Sequence, residues 1–167
     1  QEKYEEALKI YNNLGDYKDC ENAHRIELQI KKLAEDGYIS SDICDKIDAN
    51  MLYEFFESEL GQKCVNADEL LREFKFSVLV DADRYYSGCK DDKVLLQGVV
   101  DCAIIEDDGI TVIDFKTDRV TEKNLDQVTD NYRMQVQAYS DALSRIYNKP
   151  VKEAYLYFFK IKKYIAV

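Results

Sequence analysis

Three charged residues lie inside two apolar runs near the middle of the chain, and their types suit chemistry on a phosphate. Residues 97–119 read QGVVDCAIIEDDGITVIDFKTDR and include Asp101, Asp114 and Lys116. Charged side chains are rare in such strands unless they are paired or bind a metal. Carboxylates are suitable ligands for Mg²⁺ or Mn²⁺, and a lysine can orient a water or hold a phosphate oxygen. A cross-strand salt bridge beside a surface aspartate would explain the same residues without any chemistry.

The turn between the two apolar runs decides whether the three charges meet. If residues 108–109 form a two-residue hairpin loop, Asp101 lies opposite Lys116, and directly opposed residues point to the same face of a sheet. Asp114 is two residues before Lys116 and shares that face. The sequence therefore predicts that both carboxylates and the lysine converge on one side, whereas a three-residue loop would separate them.

Helical and strand patterns on both sides of this hairpin predict the elements that would position it. Helices are expected at 3–14, 19–36, after Ser40 or Ser41, at 50–60 between Asp48 and Gly61, and at about 130–147. Strands are expected at 69–80 with regular alternation, in the two halves of the hairpin, and at 152–159, with a long polar connection over 117–131. The order α-β-β-β-α-β predicts an α/β (α+β) domain with a sheet flanked by helices.

Composition limits how this chain could act. Its 167 residues are 46% hydrophobic and 34% charged, which is typical of a globular domain with a real core. The net charge of −10 argues against tight independent binding to nucleic acid, although an acidic metal-binding pocket can act on DNA that another module delivers. No apolar run approaches membrane-spanning length, so no membrane partner is expected.

Three short motifs carry a resemblance to a known family. GVVD at 98–101, DFKT at 114–117 and QVQAY at 135–139 have the order and spacing of the RecB-like branch of the PD-(D/E)XK nucleases. The flanking stretches IDFKTDRV, YRMQVQAYSDAL and NKPVKEAYLYFF also match in character. Over residues 29–160 the chain resembles most closely the C-terminal nuclease domain of the AddA-type (RexA-type) subunit in AddAB (RexAB) helicase–nucleases.

This resemblance implies a fold, an activity and partners. The fold would be the restriction-endonuclease-like αβββαβ core with a mixed central sheet, formed by residues 29–167 and preceded by extra helices, with 1–28 as a separate helical segment. The activity would be Mg²⁺- or Mn²⁺-dependent DNA hydrolysis, acting as an exonuclease in double-strand break repair and recombination. The partners would be DNA, a helicase portion and the second subunit of an AddAB-type complex, in the bacterial cytoplasm.

The resemblance also implies roles for individual residues of the hairpin. Asp101 and Asp114 would be metal ligands and catalytic residues, with the backbone carbonyl of Phe115 as a third ligand. Lys116 would orient or activate the attacking water. A non-catalytic scaffold with the same fold and an incomplete metal site is the rival hypothesis, and the net charge of −10 favours it. A site-specific or structure-specific endonuclease of the same fold is a third possibility, which activity on circular and linear DNA would separate from an exonuclease.

Four further residues have both a functional and a structural interpretation. Gln135 and Tyr139 are one helical turn apart and, by resemblance, support substrate or catalytic groups; alternatively they are an edge glutamine and a core-edge tyrosine. Glu73 would bind metal or orient Lys116, or else face solvent from a strand. His24 is the one histidine of the chain and would correspond to the upstream helical metal ligand of the family, or else lie on a helix surface.

The cysteines indicate no cofactor. The five cysteines are scattered and lack C-x-x-C spacing, which argues against zinc or a disulfide framework and agrees with a reducing cytoplasm. Some RecB-like nucleases carry an iron–sulfur cluster on cysteines after the Q-x-x-x-Y helix. No cysteine follows Tyr139 in this sequence, so no such cluster is expected.

Overall fold

A mixed five-stranded sheet with helices on both faces forms the centre of the chain, as described for residues 23–167 by a computed structural model. The helices are α1 (Ala23–Glu35), α2 (Ser41–Cys44), α3 (Ala49–Glu57), α4 (Glu59–Val65) and α5 (Leu125–Tyr147). The strands are β1 (Glu69–Asp81), β2 (Lys93–Glu106), β3 (Gly109–Lys116), β4 (Val151–Phe158) and β5 (Lys163–Ala166). The helix expected at 3–14, and the start of the one expected at 19–36, lie outside the described residues.

The strands lie in the order β1-β2-β3-β4-β5, and the one parallel pair in this sheet is β3 with β4. Parallel neighbours need a long crossover, and α5 supplies it. This topology confirms the expected mixed sheet and the α-β-β-β-α-β order. Strand β5 was not predicted, because its four residues are too short to give a clear alternating pattern.

Helices α1, α3 and α4 cover one face of the sheet and bury an aromatic core. Phe55 of α3 is fully buried, and its ring meets those of Phe115 and Tyr157 edge to face at centroid distances of 5.2 and 4.8 Å. Ile113 belongs to the same cluster. Ile113 and Phe115 therefore face these helices, and the residues between and after them, Asp114 and Lys116, are directed to the opposite face.

Helix α5 covers that opposite face. Its Ala142 and Leu143 are completely buried against Val100 of β2 and Val112 of β3. The helix ends at Tyr147 and is followed by Asn148, whose φ of 51° lies in the left-handed region that closes many helices, so the predicted break before the proline is confirmed. The charged residues of the hairpin thus lie between the sheet and α5.

The predicted helix at 50–60 is wrong in its continuity. Asp48 caps α3 as expected, accepting a hydrogen bond from the backbone N–H of Asn50 at 3.0 Å. The chain then breaks at Ser58, whose hydroxyl caps α4 by accepting from the N–H of Gly61 at 3.0 Å. Gly61 lies inside α4 and does not end a helix. Glycine is required at this position because a Cβ would lie 2.0 Å from the carbonyl oxygen of Phe55.

The polar connection after β3 is shorter than predicted. Helix α5 begins at Leu125, so the connection covers 117–124 and not 117–131. The side chain of Asn124 organises this turn by accepting hydrogen bonds from the backbone N–H and the hydroxyl of Thr121, at 2.7 and 2.8 Å. The first turns of α5 are polar, which is why hydrophobic periodicity did not reveal them.

The predicted hairpin register is wrong by two residues. Glu106 pairs with Gly109, so the loop consists of Asp107 and Asp108. The last pair of this ladder is Cys102 with Ile113, and Asp101 is therefore not opposite Lys116. Because the shift is an even number of residues, every side chain keeps its predicted face.

Candidate active site

The β1–β2 ladder is interrupted where Glu73 faces Asp101. These two residues occupy facing positions without pairing, and the φ of Glu73 is 49°, in the left-handed region that side chains other than glycine rarely adopt. Leu71 and Phe74 both pack on the α5 side, although strict alternation would put them on opposite faces. The predicted common face of Phe74, Phe76 and Val78 is confirmed, but the alternation does not continue across Glu73 to Leu71. Such irregularities redirect side chains and are common beside active sites.

The side chain of Asp101 links β2 to β3 beyond the last backbone pair of their ladder. Its Oδ2 accepts a hydrogen bond of 2.9 Å from the backbone N–H of Phe115, one residue after Asp114 on the neighbouring strand. This bond fixes the carboxylate of β2 against β3. The carboxylate thereby lies close enough to Asp114 for each of the two groups to alter the proton affinity of the other.

Asp114 is the most deeply buried charged group of the site, with a relative exposure of 1%. Nζ of Lys116, whose side chain is 11% exposed, lies 2.5 Å from its Oδ2 as an ion pair. Oδ2 thus already has one cation beside it, and a metal ion bound there would compete with Lys116 for this oxygen.

Burial is the main reason why the proton affinity of both carboxylates is raised. Burial, followed by the negative charge of Asp114, raises the pKa of Asp101 to about 7, against a smaller lowering by the N–H of Phe115 and by Lys116. Burial also raises the pKa of Asp114, while Lys116 opposes that rise. One ammonium therefore does not compensate two carboxylates in this environment. The pair is more stable with a proton, or with a further cation, between its members.

The donor set fits a divalent metal ion. Two carboxylates provide hard oxygen ligands, and Mg²⁺ usually keeps several waters in addition to one or two carboxylates. Within residues 23–167, no three His, Cys, Asp or Glu side chains are grouped closely enough to hold a metal. An ion at this site would therefore depend on Asp101 and Asp114 together with backbone oxygen and water.

Side chains of helix α5 contact Lys116. Nζ of Lys116 donates to Oε1 of Gln135 at 3.0 Å, and Nε2 of Gln135 donates to the hydroxyl of Tyr139 at 2.7 Å. The structure therefore brings the three sequence motifs into one connected network. Tyr132 joins it, with its ring centroid 3.8 Å from the same Nζ, and burial and its hydrogen bond to Asp118 raise its pKa to about 12. Tyr132 was not predicted as a site residue, although its spacing of three residues from Gln135 places it on the same face.

Gly98 explains how α5 comes so close to the sheet. A Cβ at this position would lie 3.0 Å from the ring of Phe76 and 3.1 Å from that of Tyr139. Glycine in a strand indicates close approach of another group, and here that group is a helix. Burial raises the pKa of Tyr139, so its hydroxyl is a neutral partner for Gln135 at ordinary pH.

Of the two remaining candidate residues, Glu73 acts on this network and His24 does not. Glu73 acts on the site electrostatically, because its charge contributes to the raised pKa of Asp101 and of Tyr139. His24 lies in the first turn of α1 with its side chain 76% exposed and its Nδ1 3.6 Å from Glu27. His24 is therefore not grouped with the two carboxylates.

A buried and a half-buried aspartate and a D-x-K lysine on adjacent strands, covered by a helix carrying Q-x-x-x-Y, form the arrangement that the nuclease motifs of the sequence predicted. Residues 6–165 match the family model of the PD-(D/E)XK nuclease superfamily, and the chain belongs to this superfamily. The resemblance drawn from the motifs is thereby confirmed, as is the fold that it implied.

Curated relatives of the chain are named as the A subunits of ATP-dependent helicase/nucleases. The one from Clostridium botulinum (strain 657 / Type Ba4) is 34% identical over 157 residues, covering 91% of this chain and 12% of that protein. The protein of the same name from Bacillus cytotoxicus is 36% identical over 154 residues, covering 86% of this chain. The chain thus spans about 12% of the length of these relatives and is homologous to a nuclease portion of them.

The family match includes most of the N-terminal segment of the chain. It starts at residue 6, inside the segment 1–28 that sequence patterns set apart, and the boundary after residue 28 stays a prediction. No helix among residues 23–167 is both long and apolar enough to cross a bilayer.

Proposed function

We propose that the chain is a Mg²⁺- or Mn²⁺-dependent deoxyribonuclease domain, with Asp101 and Asp114 as metal ligands. The observation that carries the proposal is the close pair of carboxylates on β2 and β3, whose pKa values are raised by burial and, for Asp101, also by the charge of Asp114. The carbonyl of Phe115 is the proposed third protein ligand, because the N–H of the same residue already binds Asp101. A divalent ion bound there would activate a water and neutralise charge developing on the phosphate.

Lys116 is the residue proposed to orient the water. Its ammonium lies beside Asp114 and is held by Gln135, so it is directed at the space that a ligand of the carboxylates would occupy. Tyr139 supports this arrangement by accepting a hydrogen bond from the amide of Gln135. Glu73 is proposed as a supporting carboxylate that keeps the proton affinity of Asp101 high and so favours binding of a cation.

A cleavage assay tests this proposal. The chain and its Asp114→Ala variant are incubated with end-labelled linear DNA and with circular DNA, in Mg²⁺ and in Mn²⁺. We expect the parent to shorten linear DNA and leave the circle intact, and the variant to lose more than about 100-fold in rate. Asp91→Asn, a matched change in an exposed loop, should keep the parental rate. An Asp114→Ala chain that cuts at the parental rate would refute the proposal.

We further propose that the domain works inside an ATP-dependent helicase–nuclease that trims DNA ends in double-strand break repair, together with a second subunit, in the bacterial cytoplasm. The name of the relatives and the 12% share of their length support this assignment. The net charge of −10 supports it as well, because DNA would have to be delivered by a partner. Fluorescence anisotropy should show weak DNA binding by the chain alone at physiological salt. Nanomolar binding would contradict delivery.

The second candidate is a non-catalytic scaffold with a nuclease fold. The absence of a three-ligand group among residues 23–167 and the exposed position of His24 favour it. Calorimetric titration with Mn²⁺ separates the two candidates, since a scaffold should show no binding that Asp101→Ala abolishes. His24 as a ligand stays a prediction from the resemblance, and the same titration of His24→Ala decides it.

A further inference from the structure

Tyr132 contacts the site lysine and begins the stretch YRMQVQAYSDAL, but it lies outside the three short motifs and no role was predicted for it. Its ring centroid lies 3.8 Å from Nζ of Lys116, and its hydroxyl donates to both carboxylate oxygens of Asp118, at 3.1 and 3.0 Å. We propose that Tyr132 is a positioning residue that holds the Lys116 ammonium for the nuclease reaction, with Asp118 fixing the ring. This inference rests on the proposed function and adds a residue to it.

The contacts of Lys116 explain why such a residue is needed. An ammonium has three N–H donors, and that of Lys116 already has three neighbours. These are Oδ2 of Asp114 at 2.5 Å, Oε1 of Gln135 at 3.0 Å and the ring of Tyr132. To reach a water or a phosphate oxygen, the ammonium must give up one of them. Asp114 is the partner with a second proposed task, as a metal ligand.

Once Asp114 turns to a metal ion, the two groups on α5 remain to hold the ammonium. Gln135 offers one hydrogen bond, which fixes a distance but allows the ammonium to swing around it. The ring of Tyr132 attracts the cation through its π face, and a desolvated contact of this kind shifts a population by about tenfold or more. It does so without offering a further carboxylate that would compete for the metal.

Local structure places the ring where this task requires it. Tyr132 and Gln135 are three residues apart on α5, so both project toward the end of β3. Asp118 follows Lys116 by two residues, and its bond to the Tyr132 hydroxyl ties the chain leaving β3 to the helix. Tyr132 also packs partly against an apolar cluster that includes Val136. A test must therefore separate the electrostatic task of the ring from its bulk.

Two variants make that separation. Tyr132→Phe keeps the ring and loses the hydroxyl, whereas Tyr132→Leu keeps apolar bulk and loses the π face. On linear DNA in Mg²⁺ we expect Tyr132→Phe to retain kcat within about fivefold. We expect Tyr132→Leu to lose about tenfold or more in kcat with KM unchanged. The affinity for Mn²⁺, measured by calorimetry, should be the same in both, because the ring is not a ligand.

A second measurement does not depend on activity. In protein labelled with ¹³C-lysine, the ring should shift the Hε resonance of Lys116 upfield, and Lys116→Met identifies that signal. The shift should persist in Tyr132→Phe and disappear in Tyr132→Leu. The inference about Tyr132 would be overturned if both variants lost kcat equally. It would also be overturned if Tyr132→Leu kept the parental kcat and the Lys116 resonance did not move. Neither result would affect the proposed function.

The proposed function fails in a distinguishable way. If the parent chain does not cleave DNA in either metal, or if Asp114→Asn cleaves as fast as the parent, the nuclease proposal fails and the role of Tyr132 in it fails as well. If the parent cleaves, Asp114→Asn does not, and Tyr132→Leu matches the parent, only the role of Tyr132 is overturned.

Discussion

Replacing Asp101 by Asn should stabilise the metal-free chain while it removes the proposed activity. The substitution removes a carboxylate whose charged form is disfavoured by burial and by the neighbouring charge of Asp114. Its amide oxygen can still accept from the N–H of Phe115, and its amide nitrogen can donate to Asp114. The usual penalty for removing a buried polar partner is therefore avoided, and the like-charge repulsion is relieved.

The size of this effect follows from the raised pKa of Asp101. A rise from 3.8 to about 7 corresponds to at most about 4 kcal/mol of unfolding free energy, at about 1.4 kcal/mol for each pKa unit. The folded chain binds this proton more tightly than the unfolded chain does. Its contribution is therefore fully present below about pH 4 and is lost as the pH rises to about 7. The stabilisation by Asp101→Asn should be largest at pH 8 and about 1–2 kcal/mol at pH 5.

Urea unfolding in EDTA at pH 5 and pH 8 measures this difference. The parent, Asp101→Asn and the exposed control Asp91→Asn are compared, and the stability of Asp101→Asn should change least between the two pH values, because Asp114 remains as a carboxylate with a raised pKa. Adding Mg²⁺ should then stabilise the parent at pH 8 and leave Asp101→Asn unchanged, because only a binding-competent native state gains from the ion. An Asp101→Asn chain that is less stable than the parent at pH 8 would show that burial of the Asp101 charge and repulsion by Asp114 do not outweigh the contacts that the carboxylate makes.

Three further predictions concern the backbone and the lysine. Gly61→Ala should lose about 3 kcal/mol or more, because a Cβ 2.0 Å from the carbonyl oxygen of Phe55 outweighs the roughly 1 kcal/mol of helix propensity that alanine gains; equal urea midpoints would contradict it. Glu73→Gly should be about 1 kcal/mol more stable than Glu73→Ala, since both lose the carboxylate and only glycine accepts a φ of 49° without strain; the reverse order in thermal unfolding would rule this out. Lys116→Met should slow cleavage more than about 100-fold without weakening Mn²⁺ binding in calorimetry, because the ammonium competes with the metal ion for Asp114 and does not bind the ion. A parallel loss of Mn²⁺ affinity would show that Lys116 acts mainly on metal binding and not on the attacking water.

The sequence was sufficient to predict the face of the sheet on which each charged side chain lies, but not the residue that each one contacts. Side-chain direction depends only on whether the loop has an even or odd number of residues, so a register wrong by two still placed Asp101 and Asp114 together. The actual register depends on the turn geometry of Asp107 and Asp108, which the preference for glycine in hairpin loops did not reveal. The convergence was predictable, and the hydrogen bond from Phe115 to Asp101 was not.

The features that sequence patterns missed depend on contacts between distant segments. The irregular backbone at Glu73 interrupts the pairing of β1 with the facing strand at Asp101, and the sequence pattern of β1 alone does not show this. Gly61 looked like a helix end, and only the position of Phe55 shows why glycine is needed inside α4. Tyr132 was visible at helical spacing, but its contact with Lys116 depends on how α5 crosses the end of β3.

Anomalous diffraction from crystals of the chain grown with Mn²⁺ would locate the proposed metal ion directly. We expect a single strong peak between the carboxylates of Asp101 and Asp114, within bonding distance of both, and its loss in Asp114→Asn crystals. Nζ of Lys116 should move away from Asp114 and stay beside Gln135. A peak elsewhere, or no peak between the two carboxylates at saturating Mn²⁺, would contradict the proposed metal site.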